Sequence, residues 1–512
     1  MRHRALVWGV LVCYAALVAA AALTYAPRAD EGFFASPALN LATKGFMGTT
    51  VLEGSHAFLK DIHRYTYWMT PLHFITQAAW YKAVGFGLFR MRLLSLLFAL
   101  AALGAWYSIA GRMSGSRAVA VAAVALTAFD FNFVVGGSSG RMDMMAAALS
   151  FCGIAAYLAL RERNLPGAVL AGNALAVASG LTHPVSGVLA FLCQAILLLY
   201  FDRGRLSVRL VALAAVPYVA GAAAWGAYIL KDPTAFAAQF GTNATMSGRL
   251  NALHAPWLGV WNELTQRYAG AYGLLSQSGR VSGPVYLKAL MLLLYAAGVA
   301  GSLLNRATRR NKGYRALLLM LAAVFFALSI LDAQKAYYYL VHTIPFFAAL
   351  AAAWLAELAG TRPLRARMLA AAAGSILLVQ AAGVAYRAWQ NPYANVYTPA
   401  MDSLREHAGP HDLIFGSASA AFALEFDSRL VDDVRLGFYT GRKPDFVILE
   451  EEYRWAIQAY AQHQPDVYSF IRRRLATEYA PVYEQADYTI LVSREYLARH
   501  PGAPIANRAR IR

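Results

Sequence analysis

Charged residues are scarce in this chain, and their scarcity excludes whole classes of protein. Only 14% of the 512 residues are Asp, Glu, Lys or Arg, whereas 59% are hydrophobic; a soluble domain usually carries about 25% charged residues. A soluble core could not bury that much apolar surface, and intrinsic disorder requires the opposite composition. The composition therefore indicates a polytopic membrane protein.

Cysteine is also nearly absent. Cys13, Cys152 and Cys193 each lie inside an apolar run and have no metal-like spacing. A disulfide scaffold or a thiolate metal site needs more cysteines in closer groups. These three are therefore interpreted as packing residues.

Acidic residues are scarce in the first three quarters of the chain. Residues 1–386 contain 31 Lys or Arg against 12 Asp or Glu, whereas residues 387–512 contain 15 against 16. The basic residues stand between apolar runs, unlike the clustered basic surface of a nucleic-acid-binding protein. They indicate membrane topology, and no nucleic-acid partner is expected.

Apolar runs long enough to cross a bilayer number about eleven, give or take two. The segment 72–89 contains Gln77, Lys82 and glycines, which is typical of a helix at the membrane interface. If it does not span, the short segments holding 17 Lys or Arg all fall on one side, which the positive-inside rule makes cytoplasmic. The predicted spans lie near 5–26, 92–110, 118–136, 143–160, 166–182, 184–201, 208–230, 285–305, 316–332, 337–358 and 368–386.

The predicted architecture is mainly α-helical, with a transmembrane domain at 1–386 and a small external α/β domain at 387–512. The chain is expected in the inner membrane, with its N-terminus in the cytoplasm. Two long loops, 27–91 with interfacial helices and 231–284, are expected outside together with the tail. In the tail, apolar runs at 412–417, 445–450 and 487–493 are typical of strands and 453–479 is typical of helix. The tail is interpreted as a packing or acceptor-recognition module, without a catalytic group.

Four groups of polar residues lie at helix ends on the predicted external face. Charged side chains at membrane depth are costly and usually functional. A carboxylate there could deprotonate an attacking acceptor, and a cation could hold a leaving phosphate. The groups are Asp30 with Glu31, Arg141 with Asp143, His183, and Asp332 with Lys335.

Each group also has an ordinary structural explanation. The first pair could be solvated, the second could stabilise a helix start, His183 could fill the break before Pro184, and Lys335 could extend to the interface. Their convergence on one face, beside two long loops, favours an active site for an anionic, membrane-borne substrate.

Five ordered motifs give the chain a resemblance to the GT-C superfamily of integral-membrane glycosyltransferases. It is most similar to the bacterial branch of lipid A aminoarabinose transferases and protein O-mannosyltransferase relatives (the family 39 and 83 type). The resemblance covers roughly residues 1–360 and implies a GT-C fold, an external active site and a sugar donor linked to polyprenyl phosphate. The motifs are DEGFFA (30–35), PL (71–72), RMRLLSLLFAL (90–100), GRMD (140–143) and KAYYYLVHTIP (335–345).

The resemblance also implies roles for individual residues. Asp30 matches the acidic residue proposed as catalytic base, Glu31 is its partner, and Asp143 matches a second acidic site residue. Lys335 and Tyr339 match positions near the donor phosphate. Arg141 is not implied in this way, but its chemistry suits a phosphate contact.

The chain departs from this family at two places. Relatives often have Lys-Pro-Pro-Leu before the interfacial helix, whereas residues 69–72 read Met-Thr-Pro-Leu, which leaves the sugar and a lipid A acceptor open. His183 stands where many relatives have a lysine. Lys60, His63 and Arg64 in the first loop are candidates to replace the missing cations.

The predicted function is transfer of one sugar from an undecaprenyl-phosphate carrier to a lipid, glycan or protein acceptor on the external side of the bilayer. A transporter or flippase of polyprenyl-linked sugars is the main alternative, and a non-catalytic envelope-assembly subunit is the other. No cofactor is required. A divalent metal is possible at His56, His63, His73 and His183, although their spacing matches no zinc pattern.

Overall fold

The computed structural model describes residues 2–54, 59–245, 248–275 and 283–501. Ten helices build the first half, up to Ile229. They are α1 Arg2–Thr24, α2 Ala29–Lys44, α3 Leu72–Val84, α4 Leu88–Ser114, α5 Arg117–Ala128, α6 Phe131–Gly137, α7 Asp143–Leu160, α8 Leu165–Thr182, α9 Pro184–Phe201 and α10 Val208–Ile229.

The second part of the helical domain alternates short helices with long ones. They are α11 Pro233–Phe236, α12 Thr242–Thr245, α13 Pro256–Asn262, α14 Ala289–Leu304, α15 Arg306–Arg310, α16 Lys312–Leu331, α17 Ile344–Ala359 and α18 Pro363–Gln390. Single turns of 3-10 helix at Arg249–Leu253 and Tyr337–His342, and π-helix at Ala237–Gly241 and Glu263–Ala269, lie between them.

Membrane-crossing helices are fewer than the eleven apolar runs, although they fall within the predicted range. Among the described residues nine helices are long and apolar enough to span, or ten if α5 and α6 form one span bent by 72°. The bend occurs because Asp130 ends the run and caps α6, accepting hydrogen bonds from Asn132 N and Phe133 N. The run at 337–358 begins with the 3-10 turn and leaves α17 only 16 residues.

The first long loop contains two helices, α2 and α3, where interfacial helices were expected. Helix α3 has 13 residues, which at 1.5 Å per residue is about 20 Å, too short to cross roughly 30 Å of hydrocarbon. Helix α2 follows α1 after a four-residue turn and carries Asp30 and Glu31 in its first turn. Pro37 lies inside α2, where it leaves a buried stretch of the helix without one backbone donor.

The helical core is packed around aromatic rings. Trp106 of α4 contacts Phe151 of α7 and Phe346 of α17 edge to face, with centroid distances of 5.3 and 4.7 Å. Small residues bring other helices together, since a Cβ on Gly298 would lie 2.5 Å from the Ala351 backbone. This close packing of α4, α7, α14 and α17 fixes the helix ends that carry the polar groups.

The tail is a small α/β domain, as predicted. Its strands are β1 Ile414–Phe415, β2 Leu430–Val431, β3 Phe446–Leu449, β4 Tyr479–Gln485 and β5 Tyr488–Ser493, in the order β2-β1-β3-β5-β4. Strand β1 is parallel to β2 and β3, while β5 is antiparallel to β3 and β4. Its helices are α19 Thr398–His407, α20 Glu451–His463, α21 Pro465–Glu478 and α22 Arg494–Arg499. The predicted helix at 453–479 is divided at Gln464 because Pro465 starts α21.

The tail packs directly on the first long loop. A Cβ on Gly32 of α2 would lie 2.2 Å from the carbonyl oxygen of Ala418. Leu52 forms a parallel bridge with Asp432, and the rings of Phe86 and Phe422 stack at 6.2 Å. The residues that follow α1 are therefore held between the helical bundle and the tail.

Candidate active site

Asp30, Arg141 and Asp143 form one ion-paired group, here called the Arg141 cluster. The Arg141 guanidinium donates through Nε to Asp143 Oδ2 at 2.8 Å and through a terminal nitrogen to Asp30 Oδ2. The Asp143 side chain is 4% exposed, whereas that of Asp30 is 40% exposed. One carboxylate thus anchors the guanidinium from inside, and the other stands at an accessible edge.

The 3-10 turn Tyr337–His342 covers the Arg141 cluster. The Arg141 guanidinium lies over the Tyr338 ring, with its central carbon 3.6 Å from the centroid. Arg28, just before α2, donates to the Tyr338 hydroxyl at 2.8 Å. The turn therefore fixes the plane of the guanidinium and adds a second cation beside it.

Glu31 lies next to Asp30 but faces the opposite way, into the protein. Arg92 of α4 binds it with two hydrogen bonds of 2.7 and 2.8 Å, and the backbone N–H groups of Gly140 and Arg28 donate to it as well. Burial alone would raise the pKa of Glu31, but Arg92 and these hydrogen bonds outweigh burial and hold the pKa below its ordinary value. Glu31 was predicted to be the partner of Asp30. The two residues are adjacent in α2, but their side chains contact different arginines.

Arg92 makes Glu31 a junction of three segments. Its remaining N–H groups donate to the carbonyl oxygens of Ala22, Tyr25 and Ala26, at 2.8 to 3.1 Å. Those carbonyls belong to the end of α1 and the turn after it. One buried ion pair therefore joins the end of α1, the start of α2 and the turn before α7.

His183 and Tyr339 meet at the break between α8 and α9. The Tyr339 hydroxyl lies 3.0 Å from His183 Nε2, and Ser186 N donates to His183 Nδ1 at 3.4 Å. Burial lowers the pKa of His183 to about 3, so the imidazole is neutral. His183 therefore supplies a helix cap and a hydrogen bond to Tyr339, and it does not supply the positive charge of the lysine that many relatives have there.

Lys335 belongs to a second, sealed group, here called the Lys335 cluster, which also contains Glu263, Arg267 and Asp332. Lys335 Nζ donates to Glu263 Oε2 at 3.1 Å and to the Ser329 carbonyl at 2.7 Å. Arg267 pairs with both Glu263 and Asp332, and all four side chains are at most 1% exposed. Burial lowers the pKa of Lys335 and raises that of Glu263. Among the described residues no hydrogen bond or ion pair joins Lys335 to the Arg141 cluster.

Arg249 lies at the edge of this sealed group and reaches toward Tyr339. It donates to the Tyr339 hydroxyl at 3.4 Å and lies 3.8 Å from Asp332 Oδ1. Its side chain is 30% exposed, and its Nε–H has no hydrogen-bond partner among the described residues. Tyr338 and Tyr339, which are consecutive in the 3-10 turn, therefore contact Arg141 and Arg249, respectively.

The predicted loop cations lie apart from both clusters. The side chains of Lys60, His63 and Arg64 are exposed, and Arg64 lies 5.8 Å from the Tyr65 ring centroid. Within the described residues no hydrogen bond or ion pair joins them to the Arg141 cluster. No set of three or more His, Cys, Asp or Glu able to hold a metal is found there either. His56 lies outside the described residues.

Sequence reasoning missed several residues of this region, and each left a signal. Arg92 is a charge inside an apolar run, and Glu263 with Arg267 shows the i,i+4 spacing of a helical ion pair. Glu452 of the tail lies in the first turn of α20, where acidic side chains are favoured. Its Oε2 accepts from Ala29 N at 3.3 Å, so the tail places a carboxylate one residue from Asp30.

Comparisons with known proteins identify the fold. No protein-family model and no curated protein matches the chain. Solved structures do match: ArnT from Cupriavidus metallidurans, in the apo state and bound to undecaprenyl phosphate, gives TM-scores of 0.58 and 0.56 at 16% identity, over 94% of this chain and 97% of that one. AglB, an oligosaccharyltransferase from Archaeoglobus fulgidus in complex with an inhibitory peptide and a dolichol-phosphate, gives 0.55 at 14% identity, over 92% and 69%.

These neighbours are GT-C membrane glycosyltransferases, so this chain has the polytopic GT-C fold. Among them, ArnT represents the aminoarabinose transferase branch. The resemblance predicted from the ordered motifs is therefore confirmed at the level of the fold. Sequence identity of 16% leaves the reaction and the residues that perform it to be argued from the site.

Proposed function

We propose that this chain is a membrane glycosyltransferase that moves one sugar from a polyprenyl-phosphate carrier to an acceptor outside the cytoplasm. The observation that carries the proposal is the Arg141 cluster, in which one guanidinium joins an accessible carboxylate to a buried one. Such a pair offers a proton acceptor and an anion-binding cation within one site, which glycosyl transfer from a phosphate needs.

Asp30 is the proposed base. The acceptor oxygen or nitrogen attacks the anomeric carbon, the bond from that carbon to the phosphate oxygen breaks, and the acceptor proton passes to Asp30. The electron pair of the broken bond remains on the polyprenyl phosphate, which leaves with an additional negative charge. Arg141 stabilises that charge because its guanidinium is fixed by Asp143 and by the Tyr338 ring.

Donor binding would also free the base. A donor phosphate placed on Arg141 would compete for the same guanidinium and weaken its pairing with Asp30. The Asp30 carboxylate would then be available to the acceptor only when the donor is in place.

Arg249 is the proposed second phosphate contact, in the role predicted for Lys335. Lys335 would have to leave Glu263 and the Ser329 carbonyl to reach a substrate. Arg249 is partly exposed, and within the described ranges its Nε–H has no hydrogen-bond partner. Lys335 is therefore assigned a positioning role, holding the start of the turn that carries Tyr338 and Tyr339. Glu31 has the corresponding role for α2, through Arg92.

The donor class follows from the site and from the neighbours together. A guanidinium at the end of a helical bundle suits a phosphate attached to a lipid, and the ArnT and AglB structures hold undecaprenyl phosphate and dolichol-phosphate. The acceptor, whether lipid, glycan or protein, would approach Asp30 from its exposed side, beside the tail. The distribution of basic residues supports an N-terminus on the cytoplasmic side of the inner membrane and a tail outside.

The test compares lipids from cells that express the wild-type chain, Asp30→Asn, or the control Asp466→Asn, which changes an exposed tail carboxylate. Mass spectrometry of the Asp30→Asn strain should show a sugar-phosphate-polyprenol accumulating and one glycosylated envelope product disappearing. The control should match wild type. Unchanged pools in Asp30→Asn, at equal membrane levels of the protein, would favour the transporter or assembly-subunit alternatives.

A further inference from the structure

A basic cavity lies at the opposite end of the helical bundle from the candidate active site. Its volume is about 710 Å³, and it is lined by the ends of α4 and α7, the end of α9 and the start of α16. Helix α7 begins at Asp143 and ends beside the cavity after 18 residues, which corresponds to about 27 Å. The two sites are thus separated by roughly the thickness of the hydrocarbon layer.

Three of the cations that line the cavity are without an acidic partner in the part of the chain that the structure describes. Among the described residues Arg112, Arg163 and Lys312 form no ion pair, and the side-chain hydrogen bond of Arg112 is a long one, 3.4 Å to Ser108 Oγ. Arg161 also lines the cavity, but Asp202 binds it at 2.8 Å. Glu162 is largely exposed and pairs with Arg161, so it neutralises little of the surplus. The cavity therefore presents three positive charges to whatever occupies it.

The other walls of the cavity are formed by apolar side chains and by the closely packed ends of α4 and α16. Met113, Leu158, Ala159 and Phe201 line it beside the cations. A Cβ on Gly313 would lie 2.1 Å from the Met113 carbonyl oxygen, so α16 starts in direct contact with the end of α4. The side chain of Asn311 already accepts from the first N–H groups of α16. An anion would therefore be bound by the basic side chains, next to a hydrocarbon surface.

We propose that this cavity binds the headgroup of an anionic phospholipid. The phosphodiester would contact Arg112, Arg163 and Lys312, and the first carbons of the lipid would pack against Leu158 and Phe201. A bilayer lipid is favoured over a soluble phosphate because the cavity combines unpaired cations with an apolar wall at the end of membrane-spanning helices. Basic pockets between such helices suit acidic lipid headgroups for the same reason. The proposal is independent of the glycosyltransferase assignment.

The test uses the full-length purified chain and native mass spectrometry with added phosphatidylglycerol or phosphatidylcholine. The cavity variant combines Arg112→Gln, Arg163→Gln and Lys312→Gln. The control variant removes the same charge at exposed positions that do not line the cavity, namely Arg209→Gln, Arg310→Gln and Arg367→Gln. Phosphatidylglycerol should bind wild type and control with equal affinity and the cavity variant at least about tenfold more weakly, which is the loss of one to two charge-assisted hydrogen bonds.

Three results would overturn the proposal. Equal losses in both triple variants would indicate a general surface attraction, and equal binding of phosphatidylcholine would remove the role of charge. Displacement of phosphatidylglycerol by millimolar inorganic phosphate, or selectively by undecaprenyl phosphate, would assign the cavity to a different ligand. If the triple variant does not fold, the exposed single variant Arg163→Gln carries the same comparison, with Arg209→Gln as its control.

Discussion

The Arg141 cluster and the Lys335 cluster contain the same kinds of residue at the same end of the bundle, yet they differ in access. Asp30 is 40% exposed, whereas each side chain of the Lys335 cluster is at most 1% exposed. The Lys335 cluster is also electrically balanced, with two carboxylates against an arginine and a lysine. An open edge allows a substrate to compete for a charge, and a balanced, sealed network resists such competition. Under the proposed function, the open Arg141 cluster takes part in the reaction and the sealed Lys335 cluster supports the fold around it.

The largest expected effect comes from breaking the sealed network. Arg267→Gln would remove the cation that pairs with both Glu263 and Asp332, leaving only Lys335 beside Glu263 and the more distant Arg249 beside Asp332. Removal of one partner of a buried ion pair destabilises a protein by about 3–5 kcal/mol. Reversible unfolding of the purified protein in detergent should show this loss. Asp30→Asn should unfold like wild type while its rate of sugar transfer falls by about 10²- to 10⁴-fold, the usual contribution of a positioned base. A stable Arg267→Gln protein would contradict the division between the clusters.

The next effect tests which cation holds the donor phosphate. Arg249→Gln removes a partly exposed guanidinium and should lower kcat/KM by about 10- to 100-fold, as expected for one charge-assisted hydrogen bond of about 1.5–3 kcal/mol. Lys335→Gln should act mainly on stability because its Nζ is bound by Glu263 and Ser329. Steady-state kinetics and thermal unfolding of both variants separate the two roles. Normal stability with a greatly reduced rate in Lys335→Gln would restore Lys335 as the phosphate contact.

A smaller effect is the dependence of stability on pH, which has one sign for Glu31 in the first loop and the opposite sign for two carboxyl groups in the tail. The pKa of Glu31 is held below its ordinary value, so its stabilisation is present above about pH 4.5 and is lost as pH falls through its lowered pKa. Burial raises the pKa of Asp432, which forms the bridge to Leu52 of the first loop, to about 8, and that of Glu450 nearby in the tail to about 7. Their contribution is present at acid pH and is lost as pH rises toward 8.

Hydrogen exchange of the tail between pH 5 and 8 measures this prediction. After correction for the intrinsic rate of exchange, strands β1 and β2 should become less protected as pH rises. Asp432→Asn should make their protection less dependent on pH, because the amide cannot ionise. The exposed carboxylate variant Asp466→Asn serves as control. Protection that increases with pH in the wild-type chain would contradict the sign.

The fold was predictable from hydropathy because the membrane allows little besides helices and because basic residues report their orientation. The two spans that differ were altered by local chemistry. Asp130 caps a second helix within one apolar run, and Pro345 lies in the first turn of α17, where the missing N–H is not needed. Both signals are readable from the sequence, but hydropathy averages over them.

The candidate site was only partly predictable, since topology gives depth but no lateral position. It placed Asp30, Arg141 and Asp143 at one end of the bundle, and the structure brings them together. It placed Lys335 at the same depth, but Glu263 and Arg267, from the second long loop, draw Lys335 into a different cluster. The contact of the tail with the site was equally unpredictable, because Glu452 and Ala29 are more than four hundred residues apart in the sequence.

The smallest expected effect comes from residues of the first loop that lie outside both clusters. Lys60 and Arg64 are exposed and contact neither cluster among the described residues, so they can act on an anionic donor only at a distance. Lys60→Gln with Arg64→Gln should raise KM by about two- to fivefold at low salt, since exposed charges contribute about 0.2–1 kcal/mol. The effect should vanish near 0.5 M salt because screening removes interactions over such distances. An effect on kcat that persists at high salt would instead mean that this loop closes onto the Arg141 cluster when the donor binds.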